Sequence, residues 1–316
     1  MRMKKLMALA LATVMTFSLA ACSTGETENS GSTGEGSEST STESSGGGSI
    51  GFAVSTLNNP FFVTLTEGAE AKAEAEGVEL IVVDAGDDAA KQTSDIEDLV
   101  SKNISVLIVN PVDSDAVAPA VEDAIAKGIK VIAVDRGVNG VEIDCSIASD
   151  NVAGAKMATE YLVSLVGEGA KVAELEGVPG ASATIDRGEG FHLIADEQLD
   201  VVSKQTANFN RSEGMTVMEN ILQANSDIKG VFAHNDEMAL GALEAISGND
   251  IVVVGFDATD DAIAAIKEGT MAATVAQQPE LMGQTAVETA VKLIAGETVE
   301  ASIPVEVSLI TKDNAE

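Results

Sequence analysis

The segment Ile50-Gly51-Phe52-Ala53-Val54-Ser55-Thr56-Leu57-Asn58-Asn59-Pro60-Phe61-Phe62 is the starting point for interpreting the rest of the chain. Its first five residues form an apolar run of the length of a short buried strand. From Phe62 to Ala69 the apolar side chains recur at helical spacing, which predicts a helix. The polar residues between this helix and the preceding strand therefore form a strand-to-helix loop. Ligands of open α/β sheets bind outside the carboxyl ends of the strands. The loop therefore places Asn59 and Phe61 where a ligand site is expected, with Asn58 shaping the turn.

The same alternation of strand and helix continues to the end of the chain. Apolar runs of strand length recur at Val78–Val83, Val106–Val109, Ile129–Val134, Lys171–Leu175, Val201–Gln205, Gly230–Ala233, Ile251–Phe256 and Ala272–Ala276. Segments of helical period separate them, and several of these end on a glycine, as left-handed helix caps require. Such alternation predicts right-handed βαβ units and parallel sheets. The chain length favours two doubly wound lobes over one very large sheet.

Where the chain passes between the two lobes can also be predicted. We interpret Val141–Ala148 as a crossover from the first lobe to the second. A helix at Met282–Ile294 and a last strand near Pro304–Leu309 suggest that the chain then returns to the first lobe.

The amino-terminal residues do not follow this pattern. Residues 1–21 begin with basic residues and continue as an apolar run, which predicts a secretory signal peptide. Small residues precede Cys22 in a pattern that resembles the bacterial lipobox, so we expect Cys22 to be lipidated; the alternative is an ordinary signal peptide with an incidental cysteine. Residues 23–49 are rich in Ser, Gly, Thr and Glu and are too polar to bury a core, which predicts a disordered tether.

Charge and cysteine content exclude several classes of protein. The chain has 51 acidic and 18 basic residues and a formal net charge of −33, which argues against binding to nucleic acid or to anionic lipid headgroups. If Cys22 is lipidated, Cys145 is the one cysteine left, so neither a disulfide nor a cysteine metal cluster is expected. We expect no metal and no cofactor.

Polar and aromatic residues recur where the predicted strands end. Carboxylate and amide groups can bind the hydroxyls of a neutral polyol, guanidinium groups donate to them, and aromatic rings pack on its C–H faces. We predict a ligand site made of Asn59, Phe61, Phe62, Asp135, Arg136, Arg187, Phe209, Asn235, Asp257 and Gln277.

Each of these residues also has a simpler interpretation when it is taken alone. Asp135 and Asp257 could instead be helix N-caps. Arg187 is expected near the start of a helix, where it could instead be a surface arginine. The phenylalanines could instead be core residues. His192 and His234 are interpreted as bystanders. No nucleophile elbow follows a predicted strand, and the glycine pair Gly167 and Gly169 lacks a third glycine at the offset that dinucleotide binding requires, so no catalytic residue is predicted.

Several longer segments resemble the ribose-binding members of the type I periplasmic binding proteins. They are Ser55–Phe62, Asn110–Ala116, Ile147–Asn151, Arg187–Phe191, Asn235–Leu243 and Val253–Asp257. The resemblance extends from Ile50 to the end of the chain and implies two Rossmann-like lobes joined by three crossovers, with the sugar in the cleft. It implies that Phe61, Phe62 and Phe209 enclose the sugar ring, that the polar residues of the set bind its hydroxyls, and that Asn110 lies behind them.

The resemblance also implies a function and a division of the chain. We expect a monomeric, extracytoplasmic, lipid-anchored protein that binds D-ribose by hinge closure and delivers it to an ABC permease in the membrane, without catalysis. The alternatives are another monosaccharide (allose, allulose, a hexose or a signalling furanose), a sugar-metabolising enzyme, and a sugar-responsive repressor, which the signal peptide argues against. The expected divisions are a signal peptide at 1–21, a lipidated cysteine and tether at 22–49, an N-terminal lobe of 50–149 plus 278–306, and a C-terminal lobe of 150–277 plus 307–316.

Overall fold

A computed structural model of the protein describes residues 48–246, 248 and 250–315. The predicted signal peptide, Cys22 and residues 23–47 of the tether lie outside these residues. Among the residues described, no helix has both the length and the apolar character needed to cross a bilayer.

The first lobe is built on a six-stranded parallel sheet with the order β11-β5-β4-β3-β1-β2. Its strands are β1 (Ile50–Val54), β2 (Leu80–Asp84), β3 (Val106–Val109), β4 (Lys130–Val134), β5 (Cys145–Ser149) and β11 (Ser302–Val305). Its helices are α1 (Pro60–Glu76), α2 (Ala89–Ser101), α3 (Ala118–Ala126) and α9 (Pro279–Ile294). Apolar side chains fill both faces of the sheet, with α1 and α9 on one face and α2 and α3 on the other.

The second lobe repeats this plan with the strand order β12-β10-β9-β8-β6-β7. Its strands are β6 (Lys171–Glu176), β7 (Asp200–Thr206), β8 (Gly230–Ala233), β9 (Val252–Asp257), β10 (Ala273–Ala276) and β12 (Ser308–Thr311). Its helices are α4 (Asn151–Val166), α5 (Ser182–Gln198), α6 (Arg211–Ala224), α7 (Asp236–Ile246) and α8 (Asp260–Glu268). All strand pairs are parallel except β10 with β12, which is antiparallel. The predicted class, two lobes with mostly parallel sheets, is confirmed.

The chain passes between the two sheets at three places. It leaves the first lobe between β5 and α4, returns between β10 and α9, and crosses a last time between β11 and β12. These crossovers bring the carboxyl ends of strands from both sheets to the same cleft.

Two expectations about the crossovers were wrong. Val141–Ala148 is not a simple connection, because it contains most of β5, which pairs with β4 on one side and β11 on the other. The predicted last strand, Pro304–Leu309, is the end of β11 and the start of β12, which belong to different sheets. Both errors have the same cause, since polar residues interrupt the apolar pattern and only long-range pairing defines these strands.

Candidate ligand-binding site

The ten residues predicted from strand ends all line one cavity between the two lobes. The first lobe and its crossover supply Asn59, Phe61, Phe62, Asp135, Arg136 and Gln277, and the second lobe supplies Arg187, Phe209, Asn235 and Asp257. All ten of these side chains are buried. A ligand bound there therefore touches both lobes.

The loop after β1 is fixed by a helix cap. Asn59 has an extended backbone, and its Oδ1 accepts a hydrogen bond from the Phe61 N–H at 3.0 Å, with Pro60 as the first helical residue. The cap uses only the side-chain oxygen, so the amide nitrogen of Asn59 remains as a donor for a ligand. Asn58, expected to shape the turn, contributes its backbone N–H to Thr56 Oγ1 at 3.1 Å.

Aromatic rings and guanidinium groups pack together in the cavity wall. Phe61 and Phe62 meet edge to face, with ring centroids 5.2 Å apart. The guanidinium carbon of Arg136 lies 4.9 Å from the Phe62 ring centre and 5.3 Å from that of Phe209, so this arginine bridges aromatic groups of both lobes. Arg187 lies 5.8 Å from the Phe209 ring centre. These flat groups can enclose a ring-shaped ligand and donate hydrogen bonds at its edge.

Four buried charged residues surround the same space without forming close ion pairs. Arg136 Nε lies 3.7 Å from Asp135 Oδ2, and Arg187 Nη1 lies 3.7 Å from Asp257 Oδ1. These distances are too long for hydrogen bonds, so neither arginine is hydrogen-bonded to its neighbouring aspartate. Burial raises the pKa of Asp135 and Asp257 and lowers the pKa of Arg136 and Arg187, while the opposite charges act against these shifts.

Neighbouring groups hold these side chains in place. Arg136 donates to the Pro111 carbonyl at 2.9 Å, and Gln277 Nε2 donates to Asp257 Oδ1 at 2.7 Å. Asn110, expected to lie behind the site, donates to Asp135 Oδ2 at 3.3 Å and accepts from the Ser55 hydroxyl at 2.6 Å.

Three polar atoms in the cavity wall have no hydrogen-bond partner among the described residues. They are Asp135 Oδ1, Arg136 Nε and Gln277 Oε1, and all three are buried. A buried polar atom without a partner costs about 1–3 kcal/mol, so such atoms mark where a ligand is expected to bind. Two acceptors and one donor suit hydroxyl groups, which both donate and accept.

The structure also settles the simpler interpretations of these residues. Asp135 and Asp257 are not helix caps, because their φ angles are 65° and 125°, and the cap of α8 is Thr259. Arg187 is buried rather than on the surface, and it lies in the second turn of α5, not at its start. Phe256 does not line the cavity but lies in the core beneath Arg187, with its ring centre 3.9 Å from the guanidinium carbon.

Two further observations concern residues outside the predicted set. Ala183, near the start of α5, also lines the cavity, and no chemical signal in the sequence marks a lone alanine of this kind. Neither His192 nor His234 lines the cavity, but the His234 carbonyl accepts from Arg187 Nη1 at 2.6 Å, so its backbone supports the site.

Comparison with known proteins places these features among solute-binding proteins. A model of the periplasmic binding protein domain matches residues 50–298. The ribose import binding protein of Bacillus subtilis (strain 168) is 54% identical over 266 residues, covering 84% of this chain and 87% of the relative. That of Haemophilus influenzae is 48% identical over 267 residues, covering 84% and 91%.

A solved structure with this fold contains a polyol. It is an ABC transporter solute-binding protein from Bacillus halodurans C-125 with bound myo-inositol, which superposes with a TM-score of 0.81 at 35% sequence identity. The match covers 87% of this chain and 98% of that chain.

Proposed function

The chain belongs to the periplasmic binding protein family, and from that membership we propose that it is the extracytoplasmic substrate-binding component of an ABC importer for D-ribose. The observation that carries the proposal is the interlobe cavity, where Asp135 Oδ1, Arg136 Nε and Gln277 Oε1 lack protein partners. Sugar hydroxyls satisfy such atoms, and the rings of Phe61, Phe62 and Phe209 cover the apolar faces of a sugar ring.

The division of the site between the lobes supplies the mechanism of binding. Asp135 and Arg136 come from one lobe, whereas Arg187 and Asp257 come from the other, so neither lobe alone completes the site. A sugar therefore binds the closed arrangement more tightly than the open one and shifts the population toward closure. The closed form then differs in shape from the open form, which allows a permease to distinguish loaded from empty protein.

Two observations favour D-ribose over other monosaccharides. The two relatives named above, at 54% and 48% identity, are both ribose import binding proteins. The chain also has no tryptophan to stack on a larger hexose. The second candidate is another small polyol, because a protein of the same fold at 35% identity holds myo-inositol.

Isothermal titration calorimetry with a panel of sugars tests the ligand. We expect D-ribose to bind with a Kd of about 1 μM or tighter, which corresponds to roughly −8 kcal/mol. The panel contains allose, allulose, arabinose, galactose and myo-inositol. Tight binding of one of these, with ribose inert, would reject ribose and retain the transport role. Analysis of the sugar after incubation is a check for turnover, which a binding protein does not perform.

We also propose that the protein is anchored to the outer face of the membrane by a lipidated Cys22, following removal of residues 1–21. The small residues before Cys22 and the polar segment after it support this proposal. Stable anchoring requires more than one acyl chain. In the native host, the wild-type chain should partition with membranes, whereas Cys22→Ser should not carry the lipid and should appear in the soluble fraction. A membrane-bound, unlipidated Cys22→Ser protein would contradict the anchor.

The expected partners are the sugar and the transmembrane subunits of an importer. We propose a monomer, because the cavity is completed by two lobes of one chain and needs no second copy. Light scattering after gel filtration, with and without ribose, measures the mass directly.

A further inference from the structure

Asp236 is a buried carboxylate directly beside the ligand cavity, but it does not line that cavity. It is the first residue of α7 and is fully buried, immediately after the cavity residue Asn235. A buried carboxylate is costly unless its oxygens are hydrogen-bonded, so its contacts indicate what it does.

The Asp236 carboxylate joins three segments of the second lobe. The hydroxyl of Thr274 in β10 donates to its Oδ1 at 2.6 Å. The backbone N–H and the hydroxyl of Thr259 donate to its Oδ2 at 2.8 and 3.3 Å. Thr274 Oγ1 in turn accepts from the Ala258 N–H at 3.2 Å. The carboxylate therefore holds two consecutive amides of the turn after β9, one directly and one through Thr274.

The turn that it holds is strained. Asp257 and Ala258 have φ angles of 125° and 58°, a region that residues other than glycine rarely occupy. Such conformations cost about 1–3 kcal/mol each and persist only where surrounding contacts enforce them. Gly255, in β9, leaves the room for this arrangement, because a Cβ atom there would collide with Asp236 Oδ1.

The strained turn begins at a residue of the cavity. Asp257 accepts from Gln277 and faces Arg187, and both of these residues line the cavity. We propose that Asp236 is a positioning residue for ligand binding, which holds the Asp257–Thr259 turn so that the Asp257 carboxylate faces Arg187 and the ligand. The inference rests on the proposed sugar-binding function and adds a residue that acts on the sugar only through Asp257.

The charges around Asp236 are consistent with this role. Burial raises the pKa of Asp236 to about 7 and also raises that of Asp257, whereas Arg187 lowers the pKa of Asp257. The negative charges of Asp236 and Asp135 also raise the pKa of Asp257. Two neighbouring buried carboxylates titrate as a pair, and the nearby arginine favours the negative charge on Asp257. An asparagine at position 236 can therefore replace the protonated aspartic acid.

Two substitutions of Asp236 distinguish an effect on the position of the Asp257–Thr259 turn from an effect on the stability of the whole protein. Asp236→Ala removes the bonds to Thr259 and Thr274, and we expect the Kd for D-ribose to rise about tenfold to a hundredfold. Asp236→Asn retains an acceptor for the Thr259 N–H and a donor for Thr274 Oγ1, and should bind ribose within about threefold of wild type. Hydrogen exchange of a peptide spanning 256–262 should accelerate in Asp236→Ala and stay slow in Asp236→Asn. Wild-type affinity and wild-type exchange in Asp236→Ala would overturn the proposal.

A milder pair of variants covers the case in which Asp236→Ala does not fold. Thr274→Val removes one hydroxyl of the network, and Thr159→Val removes a buried hydroxyl of the same lobe that bonds within α4, to the Ala155 carbonyl at 2.7 Å. Weaker ribose binding is expected for Thr274→Val alone, and equal effects of the two variants would reject the positioning role. If the wild-type chain binds no sugar, the proposed function fails, and the exchange measurement by itself decides whether Asp236 holds the turn.

Discussion

Arg187 is held from behind by several groups of its own lobe. Its Nε donates to Asn151 Oδ1 at 2.9 Å and its Nη1 to the His234 carbonyl at 2.6 Å, while the Phe256 ring lies beneath the guanidinium plane. The bond to His234 is itself supported, because His234 Nε2 lies 2.9 Å from the buried carboxylate of Glu174. The guanidinium group is therefore oriented before a ligand arrives, which reduces the entropy lost on binding.

Arg187→Ala should weaken sugar binding strongly. The substitution leaves the buried Asp257 without its cation and removes a donor to the ligand, so we expect a loss of about 2–4 kcal/mol in binding free energy by calorimetry. Arg211→Ala is a suitable control, because Arg211 pairs with Glu237 and Asp261 outside the cavity, where loss of such partly exposed pairs costs about 0–1 kcal/mol. Unchanged affinity in Arg187→Ala would remove Arg187 from the site.

The buried carboxylates of the second lobe should make stability depend on pH. Burial raises the pKa of Asp236 to about 7, so the folded protein holds this proton more tightly than the unfolded chain does. The resulting contribution to stability is present at low pH and is lost as the pH rises through 7. The ligand-free protein should melt lower at about pH 8 than at about pH 6, by roughly 2–4 °C for each kcal/mol lost. Asp236→Asn should reduce this difference, and the same difference in that variant would contradict the assignment.

The pair α1 and α9 connects two parts of the site at the level of secondary structure. Helix α1 begins with the loop that carries Asn59 and Phe61, and α9 begins just after Gln277. The two helices approach closely because a glycine on each faces the backbone of the other. A Cβ at Gly68 would lie 2.5 Å from the Glu280 carbonyl oxygen, and one at Gly283 would collide with the Leu65 carbonyl.

Gly283→Ala should destabilise the first lobe. Its methyl group meets backbone rather than a flexible side chain, so the helices must separate, at a cost of about 1–3 kcal/mol in the free energy of unfolding. Gly188→Ala, inside α5, is the matched control, because its Cβ would lie 3.6 Å from the nearest atoms and alanine favours helix by about 1 kcal/mol. Chemical denaturation of both variants makes the comparison. Equal stability of the two would argue against a tight α1–α9 contact.

Across the whole molecule, the lobes also meet at a place that the ligand cavity does not include. The Ser114 N–H donates to the Gly180 carbonyl at 3.0 Å, and Ser114 Oγ accepts from the Ser182 N–H at 3.2 Å. Ser182 Oγ accepts from the Gly137 N–H at 2.9 Å. Ser114 and Gly137 belong to the first lobe and the other two residues to the second, so these bonds form only when the lobes are together.

Ser182→Ala should therefore loosen the closed form without altering any sugar contact. Loss of one such hydrogen bond is worth about 0.5–1.5 kcal/mol, so we expect ribose to dissociate roughly 2–10 times faster in stopped-flow measurements. Ser94→Ala, on the exposed face of α2, serves as the control and should dissociate at the wild-type rate. A dissociation rate in Ser182→Ala equal to that of the control would show that these bonds do not stabilise closure.

The class of the fold and the chemical character of the site could both be predicted from the amino-acid sequence. The strand and helix periods of the chain are local properties, and polar residues after apolar runs lie at strand ends whatever the final packing, which is why Asp135, Asn235 and Asp257 could be selected without coordinates. Predictions for Cys22 and the preceding signal peptide likewise rest on local pattern alone.

Other features depend on residues that are distant in sequence and became visible only in the folded molecule. Strand β5 and the division between β11 and β12 are defined by pairing with remote strands, not by their own apolar pattern. The role of Asp236 depends on Thr259 and Thr274, and the contact between the lobes depends on Ser114 and Ser182 lying together. Local sequence specifies which groups are available, but only tertiary packing brings them within hydrogen-bond distance and removes the water that would otherwise compete for them.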